Sequence, residues 1–382
     1  LQQELIIKKK DEENIIALLE DGFLVELYLG RGEKKDLVGN IYKGRVENVL
    51  PGLEAGFIDF GWERNGYLYV GKNKLNKGEE VLVQVAKNFE GNKGPRLTQN
   101  ISLAGRYIVL LPLSPKIAVS RRIEPEAKER LRNFASLLPS PQMGIIFRTA
   151  ARDATEKELK REIKELAQLW QEIVNKAKRK SAPVLLHAEA NLIPRVLRDL
   201  LALNLQQITV NELNLYKEVK KWLKDYAPSL RTKLSFDKND QLSIKYRLDE
   251  QIKEALERRV DLKSGGFLVI DQAEALTAID VNSGKYVGVK DLEDTAYRTN
   301  LEAAYEIPRQ LRLRNIGGII IIDFIDMHHA HNRQEIIHIL KEGLLKDRAK
   351  PVIAGITPLG LVEMTRRRQR YDLAATSGIK EE

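Results

Sequence analysis

The chain of 382 residues has no cysteine, which excludes disulfides and any thiolate-ligated zinc site within it. No apolar run approaches the ~20 residues that a membrane-crossing helix needs. The opening Leu1-Gln2-Gln3-Glu4 lacks the basic-then-apolar layout of a secretory signal, and a leucine at position 1 suggests a missing or unusual initiator end. Solenoid-type repeats and low-complexity linkers are missing as well. His328, His329 and His331 look like a zinc cluster at first sight. Without a Cys or a His-x-x-Glu-His pattern they read instead as exposed loop residues. A soluble, cytoplasmic protein is the class these absences leave.

What is present describes a folded, multidomain chain. Apolar residues make up 43%, with ordinary glycine and proline content, the composition of a globular protein. The length exceeds what one hydrophobic core supports, so two or more domains are expected. Lysine and arginine (63) outnumber aspartate and glutamate (54), a net charge of +9. That excess fits a polyanionic partner only weakly, because solubility alone gives many proteins such a balance.

Residues 1–37 read as strands Glu4–Lys8, Asn14–Leu19 and Phe23–Leu29, the last two joined by an Asp21-Gly22 hairpin turn. So small a sheet cannot close a core and needs a later partner. Residues 38–100 carry short glycine-punctuated strands, Ile41–Val49, Glu54–Phe60, Gly66–Val70 and Glu80–Val85, the rhythm of a small OB-type Greek-key barrel. Phe57, Phe60, Tyr67 and Tyr69 alternate there with small or polar residues. Such rings either fill the barrel or face out beside Lys43, Arg45, Arg64 and Lys93, where they suit unpaired nucleic acid. Phe60 fits the core better.

Residues 101–193 include a strand ending in Arg148-Thr149. A guanidinium beside a hydroxyl suits a terminal phosphate, although such an arginine is more often a surface ion-pair partner. A helix follows, opened by a Thr155…Glu158 capping box and burying Trp170. Residues 194–255 read as mixed α/β, with a helix from about Arg195, a strand near Gln207–Val210 and a helix capped by Asn211.

Residues 256–382 hold the most informative pattern. Leu276-Thr277-Ala278-Ile279 stops at Asp280 and turns through Val281-Asn282-Ser283-Gly284. A helical pattern runs from Asp291 to about Arg314, and Gly317-Gly318-Ile319-Ile320-Ile321-Ile322 then stops at Asp323. Short apolar strands flanking a helix form a βαβ unit, whose right-handed crossover brings Asp280 and Asp323 to the same sheet edge. Two carboxylates there can hold a hard cation such as Mg²⁺, with Asn282 placed to bond a phosphoryl oxygen. An aspartate after a strand is also often only a cap or turn residue. Asp326 reads equally as an outer contact of the site or as the cap of the next helix. Strand Val352–Ile356 and helix Leu359–Arg370 are expected to follow.

Thr277-Ala278-Ile279-Asp280-Val281-Asn282-Ser283, Thr299-Asn300-Leu301-Glu302-Ala303-Ala304, Arg309-Gln310-Leu311-Arg312-Leu313-Arg314 and Ile322-Asp323-Phe324-Ile325-Asp326-Met327 closely resemble the catalytic region of the ribonuclease E/G family. The likeness extends over nearly the whole chain. It implies a multidomain α/β and β architecture: an RNase H-like subdomain from residues 1–37 and 194–255 without an active site of its own, an inserted S1 (OB-fold) barrel at 38–100, a 5′-sensor region at 101–193, and a DNase I-like catalytic α/β subdomain at 256–382. It further implies a Mg²⁺-dependent endoribonuclease of RNA processing and decay, cutting single-stranded RNA to 5′-phosphate and 3′-hydroxyl ends.

Under that resemblance Asp280 and Asp323 hold the metal and Asn282 steadies the scissile phosphate. Phe57, Tyr67 and Lys93 hold the strand downstream of the cut. Arg148 and Thr149 dock a 5′-monophosphate in a pocket walled by Gly105 and Val109 and supported by Arg121. Tyr67 stands where better-known members have phenylalanine, a change that stacking survives, and the loop Gly71–Gly78 is shorter than in many relatives. Most relatives share a zinc ion between protomers through a Cys-Pro-x-Cys motif just beyond the catalytic unit. This chain stops at Lys380-Glu381-Glu382 without one, so a homo-oligomer (dimer or tetramer) is expected without a cysteine zinc-link in this chain. Two rivals stand beside this reading. One is a catalytically inactive RNA-binding scaffold of the same fold, which the intact Asp280, Asn282 and Asp323 argue against. The other is a metal nuclease acting on DNA, since OB folds bind either polymer.

Overall fold

The computed structural model describes residues 2–11, 13–31, 37–71, 75–88, 94–137, 143–189, 192–200, 203–285, 291–367 and 373. They form two compact units, one of residues 1–30, 205–220 and 230–382, the other of residues 31–204 and 221–229.

In the first unit, strand Gln3–Lys10 pairs antiparallel with Glu13–Glu20 and parallel with Leu205–Val210. The sheet runs in the order Leu234–Phe236, Leu205–Val210, Gln3–Lys10, Glu13–Glu20, Phe23–Arg31. The N-terminal strands thus find the partner they need far downstream. Positive φ at both Asp21 (51°) and Gly22 (84°) gives their second turn the twist that hairpins favour. Asn211 does not cap the helix Leu213–Tyr226. Its amide oxygen accepts from the Lys9 backbone at 2.9 Å. The neighbouring Glu212 carboxylate folds back to take the Asn214 and Leu215 N–H groups instead.

A six-stranded sheet completes this unit, in the order Arg259–Asp261, Phe267–Gln272, Leu276–Asn282, Gly318–Asp323, Val362–Arg366, Val352–Ile356. Leu276–Asn282 and Gly318–Asp323 are parallel and joined through helix Leu292–Leu313, the expected βαβ unit. Helices Leu292–Leu313 and Ala330–Leu345 cover one face, where Ile279, Ile320 and Ile322 meet Ala303, Ile307, Leu311 and Leu340. Leu276, Ile319 and Val352 on the opposite face are exposed.

The expected helix Leu359–Arg370 is instead a strand over Val362–Arg366. Val362, Met364 and Arg366 are buried while Glu363 and Thr365 are exposed, a period of two that the preceding apolar run and following arginines disguise. Gly360, at φ 88°, turns the chain back so that this strand pairs with both Val352–Ile356 and Gly318–Asp323.

The second unit holds a closed five-strand barrel of Ile41–Leu50, Ala55–Asp59, Gly66–Tyr69, Arg96–Thr98 and Glu80–Lys87, sealed by pairing of the first with the last. Val46, Ile58, Phe60, Leu68 and Val83 fill it. A four-stranded sheet of Ile117–Val119, Gly144–Phe147, Ile108–Leu111 and Leu103–Ala104 packs on helices Pro125–Ser136 and Glu156–Arg179, burying Phe134, Phe147, Leu159 and Trp170. The capping box at Thr155 forms as its sequence dictates. Among the described residues no helix is long and apolar enough to cross a membrane.

Candidate active site and nucleic-acid interface

Asp280 and Asp323 are register partners on the two parallel strands, which as sheet neighbours stand about 4.8 Å apart. Thr277, Ile279 and Val281 alternate into the core, so Asp280 is turned to the exposed face. The strand continues past the expected stop to Asn282, because Val281 and Asn282 still pair with Leu268 and Phe267. The two carboxylates therefore lie side by side on an open sheet face near the strand ends, not beyond an edge. Asn282 Nδ2 donates to the Asp280 carboxylate at 2.8 Å and so orients it.

Partial burial raises the Asp323 carboxyl above its ordinary range, and the neighbouring Asp280 and then Asp326 carboxylates raise it further. Like charges held this close favour a cation between them. Among the described residues no three His, Cys, Asp or Glu side chains are grouped to enclose an ion. The donor set is two carboxylates on one face, which fits Mg²⁺, a hard ion that takes one or two protein carboxylates and completes its shell with water and phosphate oxygens. Asp326 does not cap the next helix: Ala330–Leu345 begins behind His329 with no side-chain cap.

Two side chains to which the sequence alone assigns no role hold the loop after Asp323. Buried Asn300 bonds the Ile325 backbone through both halves of its amide. Glu293 accepts the His328 and His329 N–H groups. The string Arg309 to Arg314 is structural. Arg309 donates to the Leu24 carbonyl, Arg312 pairs with Glu20 and Glu26, and Arg314 bonds Gln310 and the Glu257 carbonyl.

On the barrel, Phe57 and Tyr67 are cross-strand partners with rings edge to face, 6.1 Å between centroids. Both are half-buried, while the next residue along each strand, Ile58 and Leu68, points inward. They belong to the outer wall, as does Tyr69, 54% exposed and bonded to Glu54 at 2.6 Å. Phe60 is in the core, edge-on to Tyr42. Lys93 lies outside the described residues. Lys43 and Arg45 are committed elsewhere. Lys43 pairs with Glu80 at 2.6 Å and bonds the Lys180 carbonyl, and Arg45 bonds the Ala182 carbonyl. Lys43 is the first cause holding the Glu80 carboxyl down at about 2.

In the same unit, Arg148 and Thr149 follow strand Gly144–Phe147. Arg148 donates to the Gly105 carbonyl at 2.7 Å and pairs with Asp199 at 2.5 Å, and the Thr149 hydroxyl meets that of Ser120 at 2.9 Å. The Glu162 carboxylate accepts the Arg106, Tyr107 and Ile108 N–H groups at 2.6, 2.8 and 2.9 Å. A Cβ on Gly105 would come within 2.5 Å of that carboxylate, so glycine is what lets Glu162 reach in. Val109 is half-buried and paired with Ile146 and Ala104, while Arg121 is exposed at the turn beyond Ile117–Val119. Asp199, Glu162 and Ser120 were not singled out from sequence, since each finds its partner across at least 29 residues of chain.

Comparison with known proteins identifies the family. The Ribonuclease E/G family pattern matches residues 102–369. The chain is 39% identical to Ribonuclease G of Salmonella typhimurium over 96% of its own length and 80% of that protein. It is 38% identical to Ribonuclease G of Escherichia coli over 97% and 81%, and 40% identical to Ribonuclease E of a Nostoc species over 95% and 56%. Identity at this level, sustained across both units, leaves one assignment: the chain belongs to the ribonuclease E/G family.

Proposed function

We propose that this protein is an endoribonuclease of RNA processing and decay that cuts single-stranded RNA at Asp280 and Asp323 with Mg²⁺. The observation that carries this reading is the register pairing of those carboxylates on one exposed sheet face, in a chain of this family. When bound, the ion supplies positive charge against the phosphate and acidifies a water for in-line attack. Asp280, oriented by Asn282, and Asp323 are the groups that would hold it, and the second N–H of the Asn282 amide would bond the scissile phosphate. The expected ends are 5′-phosphate and 3′-hydroxyl.

Phe57 and Tyr67 stack unpaired bases, and Lys93 follows the backbone. Arg148 and Thr149 receive a 5′-monophosphate, with Gly105 and Val109 as walls and Arg121 adding charge. Asp199 holds one nitrogen of Arg148, so a phosphate would share that guanidinium. The same reading takes the five-stranded sheet as RNase H-like, the barrel as an S1 domain and the six-stranded sheet as DNase I-like, within a cytoplasmic homo-oligomer.

A fluorescent single-stranded RNA, offered with Mg²⁺ or with EDTA beside its DNA counterpart, tests the activity. Cleavage of RNA alone, and only with Mg²⁺, is expected. Equal cutting in EDTA would sink the metal reading, and binding without cutting would favour the scaffold. For the sensor, Arg148→Ala should erase a roughly ten- to hundredfold preference for 5′-monophosphate over 5′-hydroxyl RNA, the worth of charge-assisted hydrogen bonds to a phosphate. A preference that survives the substitution removes the sensor role.

A further inference from the structure

Strand Gly318–Asp323 ends at the second aspartate, and the next helix starts at Ala330. An irregular loop keeps one conformation only where its backbone groups are held, because its conformational entropy opposes order. Helix Leu292–Leu313 grips this loop at two points. Asn300, with none of its surface exposed, donates Nδ2 to the Ile325 carbonyl at 2.7 Å and accepts the Ile325 N–H at 3.0 Å. A residue bonded at both its N–H and its C=O cannot rotate freely. Two helical turns nearer the start, on the same helix face, Glu293 accepts the His328 N–H at 2.8 Å, the His329 N–H at 3.2 Å and Asn332 Nδ2 at 2.8 Å. Those contacts, the His328 N–H first, hold the Glu293 carboxyl below its ordinary range. Asp326 stands between the two anchors, in the same loop and three residues past Asp323.

We propose that Asn300 and Glu293 are positioning residues of the acidic centre: they fix the loop that follows Asp323, so that Asp326 is held near that end of the strand as an outer negative charge favouring a hard divalent cation. This rests on the Mg²⁺ reading of the Asp280–Asp323 pair. Asp326 acts through water, in the way that outer-shell groups tune metal sites without ligating them.

Mn²⁺ added to the full chain and followed by the electron paramagnetic resonance of the free ion gives a readout independent of activity. Asn300→Asp keeps the side-chain size but loses the donor to Ile325, and Glu293→Ala frees the far anchor. Each is expected to weaken Mn²⁺ binding about ten- to a hundredfold. The Mg²⁺ concentration for half-maximal cleavage should rise in step, with RNA affinity in EDTA at the wild-type value. Should Asn300→Asp fail to fold, Glu293→Ala, at a half-buried site, decides the matter. Folded variants that bind Mn²⁺ as tightly as wild type overturn the positioning role. Asp280→Asn separates the two levels: if it too binds Mn²⁺ like wild type, the metal reading itself has failed.

Discussion

Asp280→Asn and Asp323→Asn are each expected to slow RNA cleavage by about a hundred- to a thousandfold, the scale on which removing one group that stabilises transition-state charge acts. Asparagine keeps the size of aspartate and loses only the charge. Because both side chains are on the exposed face while the backbone pairing belongs to the strands, the sheet should be unchanged and RNA affinity should stay near wild type. A second readout separates this from structural damage. Asp323 sits among Asp280 and Asp326 with its carboxyl raised by burial and by both of them, so removing its charge relieves repulsion. The thermal midpoint of Asp323→Asn in EDTA should match or exceed the wild-type value, the mark of a site that trades stability for function. Wild-type cleavage by either variant would falsify the assignment. A normal rate loss joined to a lower midpoint would assign Asp323 a structural share.

Much of this centre was legible in the sequence because its signals are local. Apolar runs that halt at Asp280 and Asp323, with one helical pattern between them, leave few topologies open once crossovers are right-handed. The strand's true end was not legible, since Asn282 continues it by pairing with Phe267, a partner on another strand. The same limit explains Lys43 and Arg45. In sequence they are cations near aromatics. In the fold they answer Glu80 and the carbonyls of Lys180 and Ala182. The part played by Asn300 and Glu293 is not legible for a related reason. A polar residue on a helix gives no sign of the loop it holds when that loop is 25 or more residues away. The family strings marked Asn300 and Arg309 to Arg314 without distinguishing support from chemistry. Contacts inside the unit show the arginines are support.

The misread C-terminal segment leads to the largest expected effect on stability. Arg366, placed by pattern in a helix, is a strand residue 5% exposed, and its partner Asp347 is 3% exposed. Nε to Oδ2 is 2.6 Å and Nη2 to Oδ1 is 3.3 Å, and Arg366 also donates to the Ile316 carbonyl at 2.6 Å. This pair joins strand Val362–Arg366 to the turn before Val352–Ile356 and to the approach to the Asp323 strand. Asp347→Ala would leave the guanidinium buried without its counter-charge, which costs about 3–5 kcal/mol. The urea midpoint of the unit holding the pair should fall accordingly. Asp347→Leu combined with Arg366→Met should lose less than the sum of the two single changes, because two apolar groups need no pairing. A loss below about 1 kcal/mol for Asp347→Ala, the worth of an exposed pair, would mean that water reaches Arg366. Cleavage per folded molecule should hold near wild type, since the pair supports the Asp323 strand through its backbone neighbour and touches neither aspartate of the centre.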